Sequence, residues 1–155
     1  KESADYSTRA NLMWTATLAL NGLIGAGVPQ DWSTHMIGHE LTALYGIDHA
    51  RTLAIVLPAN LEIRREAKRA KLLQYAERVW QISQGDKEQR IDMAIQQTRM
   101  FFESLGLPTH LSAYKLGTDA IDALINQLDT HHLTALGEHN NVSLDVSRRV
   151  LEASL

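Results

Sequence analysis

Three histidines carry the chemistry this sequence can offer. His35 and His39 stand four apart in Asp31-Trp32-Ser33-Thr34-His35-Met36-Ile37-Gly38-His39-Glu40-Leu41, and His49 follows behind Tyr45-Gly46-Ile47-Asp48. On a helix, residues four apart lie roughly 40° apart around the axis and about 6 Å apart along it, so two imidazoles can converge on one ion. His49, past a tight turn, can fold back toward the same helix, and three imidazoles then line one pocket. Neutral imidazole suits Zn²⁺ and Fe²⁺, and a site of three or more protein ligands with an open position is a catalytic one. Glu40 sits beside the pair, although in a zincin helix the Glu directly follows the first His. Two polar residues four apart on a helix are also common without any metal, so spacing alone leaves both readings open.

The elements that must position these residues read as helices. Leu12, Met13, Ala16, Ala19, Leu20 and Leu23 recur at spacings of three and four, predicting an amphipathic or buried helix from Tyr6 to Gly22, broken by Gly22, Gly25, Gly27 and Pro29. Asp31 or Ser33 can cap the histidine helix, which stops near Tyr45 at Gly46. A third helix runs from His49 to Arg65 with a kink or break expected at Pro58. Leu72, Leu73, Ala76, Val79 and Trp80 predict a helix of about four turns ending near Ile82. Gly85-Asp86 opens a helix with a stripe from Ile91 to Leu105, and Leu107-Pro108-Thr109 is a loop. Thr118 or Asp119 caps a helix through Leu128, and Ser143 caps a last one carrying Leu144, Val146, Val150 and Leu151. No run alternates with period two, so no sheet is expected. The fold class is all-α, a bundle-like domain of about six to eight helices over residues 1–155.

Composition narrows the functions. The 155 residues hold 15 Lys+Arg against 18 Asp+Glu, a net charge of −3 that gives no global reason to bind nucleic acid or an anionic membrane. Without cysteine there is no thiolate nucleophile and no Cys-based zinc or iron–sulfur site. The apolar stretch Leu18 to Val28 is too short to cross a bilayer, and a cytoplasmic location is expected. Lys1 in place of Met implies a processed start or a piece of a longer chain. The basic run Arg64, Arg65, Lys68, Arg69 and Lys71 reads as a solvated helix face, with a phosphate or nucleic-acid contact, or partner docking, as the other options. Trp14 and Trp80 read as core or interface residues, and Trp32 as a border of the histidine pocket. His131, His132 and His139 read as exposed loop histidines, and Asp145 as a helical partner of Arg148 and Arg149.

The run His35-x-x-Gly38-His39 followed by Gly46-Ile47-Asp48-His49 resembles the histidine signature of iron-containing alcohol dehydrogenases. More closely, the chain is similar to their NADPH-dependent aldehyde reductase and butanol dehydrogenase branch. The likeness includes the segments Ala19 to Gly27, His39 to Ala43, Thr52 to Pro58 and Leu144 to Arg149.

The resemblance implies a C-terminal, metal-binding helical half of a two-domain dehydrogenase. An N-terminal α/β domain, not represented here, would bind most of the NADPH. The family holds a divalent metal (Fe²⁺ or Zn²⁺) with one Asp and three His, the first two ligands coming from an Asp-x-x-x-His segment. Here Asp5 is followed four residues later by Arg9, so that pair is expected upstream of Lys1. The other two ligands carry over as His35 and His49, and His39 becomes a pocket-lining catalytic residue able to relay a proton. Many relatives have Pro-His-Gly where this chain has Asp48-His49-Ala50. The implied substrates are a small aldehyde and its alcohol, the implied partner is the chain's own N-terminal domain, and a homodimeric parent is expected. The 155 residues alone are expected to be inactive. The alternative is a free-standing helical binding module with structural histidines.

Overall fold

The structure, a computed structural model, describes residues 5–155. Backbone contacts separate two compact units, Lys1–Gln30 and Asp31–Leu155.

The first unit is built on α1 (Tyr6–Leu20). Asp5 caps it, its carboxylate accepting from the Ser7 and Thr8 amides at 3.1 and 3.3 Å. The helix begins where the periodicity places it, but it is neither amphipathic nor buried. Leu12, Met13 and Trp14 occupy consecutive positions, which spreads apolar surface around the axis, and no residue of α1 is buried. Trp14, expected in a core or interface, is 64% exposed.

The second unit contains α2 (Ser33–Tyr45), α3 (His49–Ile63), α4 (Arg69–Arg78), α5 (Lys87–Ser104), α6 (Thr118–Thr130) and α7 (Leu144–Glu152). With α1 this makes seven α-helices among the described residues, within the six to eight expected. α2 packs on α3 and α6, α3 also on α5 and α7, α4 on α5, and α6 on α7. Ile37 and Leu41 of α2, Ile55 and Val56 of α3, Leu124 and Leu128 of α6 and Val150 and Leu151 of α7 form one core. Leu72, Ile91 and Ile95 form a second one between α4 and α5.

Cap chemistry explains most boundaries. Asp86 and Gln89 form a capping box on α5, and the Ser143 hydroxyl accepts from the Val146 amide on α7. Gly117, rather than Thr118 or Asp119, occupies the cap position of α6. α3 continues unbroken through the buried Pro58, so the expected break does not occur. The proline removes one donor, while packing on α2, α5 and α7 holds the helix on both sides of it. α4 ends at Arg78, earlier than Ile82, and Gln81 then takes a left-handed φ of 58°. A 3₁₀ turn at Leu111–Tyr114 had no sequence signal. The expectation of no sheet needs one correction. β1 (Ala135–Leu136) pairs antiparallel with β2 (Val142–Ser143), in strands too short to show any alternation. No helix among the described residues is long and apolar enough to cross a membrane.

Candidate metal centre

The histidines are brought together by one tight connection. α2 stops at Gly46, whose φ of 66° is left-handed and favours glycine. The Gly46 amide donates to the Thr42 carbonyl at 2.9 Å, and the Thr42 hydroxyl donates to the Ile47 carbonyl at 2.8 Å. Ile47 is buried, which anchors the middle of the turn. The Asp48 carbonyl then accepts from the Arg51 and Thr52 amides, making His49 the first residue of α3. Gly38 sets how closely α2 meets α3, since a Cβ there would lie 2.8 Å from Thr52 Oγ1. That same hydroxyl donates to the His49 carbonyl at 2.8 Å. One close approach therefore fixes both backbones that carry imidazoles.

The three rings meet. Centroids of His35 and His49 are 5.3 Å apart, those of His39 and His49 5.3 Å, and those of His35 and His39 6.4 Å. An ion about 2.1 Å from a ring nitrogen sits roughly 3.2 Å from that ring's centroid, so two tetrahedral imidazole ligands have centroids roughly 5.2 Å apart. The His35–His49 and His39–His49 pairs, both at 5.3 Å, fit this value. The His35–His39 pair, four apart on α2, would have to approach a linear arrangement. Spacing within one helix is thus a poorer guide here than the turn between two helices.

His35 is half-buried, whereas His39 and His49 are exposed. Burial pushes the His35 imidazole below its ordinary pKa, and the charges of His49 and His39 push it the same way. The result is a neutral ring, the form that ligates metal. Among the described residues, no group of three or more His, Asp or Glu side chains is placed to hold an ion by itself. The donor set fits a divalent ion as two imidazoles of a larger coordination sphere.

Trp32 borders the cluster, its indole meeting the His35 ring edge to face at 5.0 Å. Glu40 does not join the rings. It is buried, and His131 Nδ1 meets its Oε1 at 2.8 Å from the end of α6. His131 is thus engaged on its buried edge, while His132 and His139 remain exposed. A partner 91 residues away leaves no local sequence signal.

The basic run is only in part a solvated face. Arg64 is buried and lies 3.8 Å from Asp31, and it donates to Asn141 at 2.7 Å. Lys68 pairs with Asp31 at 2.6 Å and Glu138 at 2.9 Å. Arg65 pairs with Glu62, Glu88 and Asp92, and Arg69 with Glu66 and Glu88. These pairs engage four of the five cations, and Lys71 stays exposed. Asp31 also accepts from the Ser33 amide at 2.8 Å, so it joins the network to the start of α2. Arg148 pairs with Asp122 of α6 at 2.8 Å rather than with Asp145. Trp80 is half-buried among Tyr75 and Phe101, each 6.2 Å away between centroids.

The sequence matches the profile of the Fe-containing alcohol dehydrogenase family, C-terminal, over residues 1–143. It is 63% identical over 154 residues to the NADPH-dependent aldehyde reductase YqhD of Escherichia coli, covering 99% of this chain and 40% of that protein. It is 38% identical over 129 residues to the NADH-dependent butanol dehydrogenase A of Clostridium acetobutylicum, covering 82% of this chain and 33% of the relative. The crystal structure of the substrate- and cofactor-free E. coli reductase superposes with a TM-score of 0.97 at 62% identity, over 99% of this chain and 40% of that one. The butanol dehydrogenase A of Thermotoga maritima superposes with a TM-score of 0.87 at 27% identity, over 97% of this chain and 39% of that one. The chain thus spans about 40% of the length of the E. coli reductase.

Proposed function

The chain belongs to the Fe-containing alcohol dehydrogenase family, and from that premise we propose that it is the metal-binding part of an NADPH-dependent aldehyde reductase. The observation that carries the reading is the 5.3 Å separation of the His35 and His49 rings across the Gly46 turn, in a chain 63% identical to a reductase of that activity. His35 and His49 would hold a divalent ion, Fe²⁺ or Zn²⁺, with the remaining ligands and most of the NADPH site supplied from outside these 155 residues. When bound, such an ion supplies Lewis acidity toward a carbonyl oxygen while hydride comes from the nicotinamide. His39, exposed and 5.3 Å from His49, is free to give a proton to the product oxygen as it gains charge. The turn at Gly46 and the close approach at Gly38 keep the backbones that carry the three rings in register, and no hydrogen bond reaches any of the rings among the described residues.

In the full polypeptide carrying this sequence, His35→Ala and His49→Ala should each strip the metal, read by elemental analysis, and abolish NADPH oxidation with a small aldehyde. Retention of metal by both variants would sink the assignment. His39→Asn should keep the metal and alter the pH–rate profile. An unchanged profile removes the proton-relay role. The 155 residues alone should bind metal weakly and oxidise no NADPH, and turnover by the isolated chain would contradict that directly.

A further inference from the structure

Trp32 has no task in the mechanism above, yet its mounting is elaborate for a residue at the surface. Its indole is 39% exposed, so it is not core filling. It occupies the cap position of α2 but makes no capping bond. Asp31, one residue earlier, does that work by accepting from the Ser33 amide at 2.8 Å. The other oxygen of Asp31 faces Lys68 at 2.6 Å and Arg64 at 3.8 Å. Lys68 is held in turn by Glu138 at 2.9 Å, and Arg64 by Asn141 at 2.7 Å. The backbone entering Trp32 is thus tied to two distant parts of the chain, residues 64–68 and, through them, 138–141.

Metal-binding histidines ordinarily have their second ring nitrogen fixed by a hydrogen bond, which sets the ring's orientation. Among the described residues, no hydrogen bond reaches either nitrogen of His35. The contact that does reach the ring is Trp32, with centroids 5.0 Å apart and planes at 69°, an edge-to-face arrangement. The His49 ring stands 5.3 Å from the same imidazole.

We propose that Trp32 is a positioning residue for His35. Its indole, mounted by the Asp31 ion pairs, confines the imidazole to the orientation that faces His49 and keeps bulk water off one side of it. This rests on the metal-binding reading. Its contribution is pre-organisation: without the indole, the ring turns about its own bonds and must be ordered each time an ion binds.

The test uses Co²⁺ with the metal-free full polypeptide carrying this sequence, comparing Trp32→Ala, Trp32→Phe and His49→Ala. Affinity is read by chelator competition and ligand geometry by the visible d–d bands. Trp32→Ala should weaken Co²⁺ binding about tenfold, the lower end for the loss of an outer partner of a ligating histidine, and should shift the bands. Trp32→Phe retains an aromatic edge and should restore the affinity and spectrum of the parent. Because the residue is at the surface, far-ultraviolet circular dichroism should be the same for all three proteins. Trp32→Ala with unaltered affinity and bands, alongside a His49→Ala protein that loses both, overturns this proposal and leaves the metal site standing. Trp32→Phe as damaging as Trp32→Ala also overturns it. His49→Ala without effect removes the metal reading and this proposal together.

Discussion

Replacing Asp31 by Asn removes one charge and little else, because asparagine caps a helix about as well as aspartate and can still accept from the Ser33 amide. Burial pushes the Asp31 carboxyl up, and the bonds from Lys68 and Ser33 outweigh it, holding the group well below the usual carboxylate range. A depressed folded-state value means that ionised Asp31 stabilises the fold above the unfolded pKa of about 3.9 and ceases to do so as the pH falls toward the folded value. Breaking a buried ion pair typically costs about 3–5 kcal/mol. Here Lys68 retains Glu138 and Arg64 retains Asn141, so only part of that is lost. We expect a cost of about 2 kcal/mol at neutral pH, a fall in Tm of roughly 6 °C for a chain of this size. The gap between the two proteins should narrow steadily below about pH 4, where the Asp31 carboxyl takes up its proton in the unfolded chain before it does so in the folded one. Urea unfolding of both proteins across this range measures it. A gap that stays constant with pH, or that is already absent at neutrality, would falsify the view that the Asp31 charge anchors α2.

Gly38→Ala should destabilise by about 1–3 kcal/mol through overpacking against Thr52, and adding Thr52→Ala should recover part of it, a non-additivity visible in thermal melts. Gly46→Ala forces a side chain into left-handed backbone and should cost about 1–2 kcal/mol by the same assay. His131→Ala leaves the buried Glu40 carboxylate without its partner and should cost about 1–3 kcal/mol. In a double-mutant cycle with Glu40→Gln, the two effects should overlap rather than add.

The histidine cluster was legible because its determinants are local. Gly46 marks the end of one helix, the next begins almost at once, and the three rings fall within a stretch of fifteen residues. The starts of α5 and α7 were legible for the same reason, since Asp86 and Ser143 cap residues only three away. What the sequence hid depends on distance along the chain. Asp31 and Lys68 are 37 positions apart, and a basic stretch looks solvated until its carboxylates arrive from elsewhere. Glu40 and His131 are hidden in the same way. Pro58 misled because the rule for its lost donor is local, whereas packing on three other helices keeps α3 continuous. The Trp32 contact lay between these cases. Its place one turn ahead of His35 was plain, but the ion pairs that hold its backbone were not.

Leu12, Met13 and Trp14 look outward roughly 100° apart along α1, each well exposed. Such a cylinder presents apolar side chains to water alongside the exposed Thr8, Arg9, Asn11, Thr15 and Thr17. The consequence is colloidal rather than catalytic. Handled as a 155-residue polypeptide, the material should take up solvatochromic dyes, turn cloudy as it is concentrated, and clear again in mild detergent. Purification yield will report on those three exposed side chains sooner than on any imidazole.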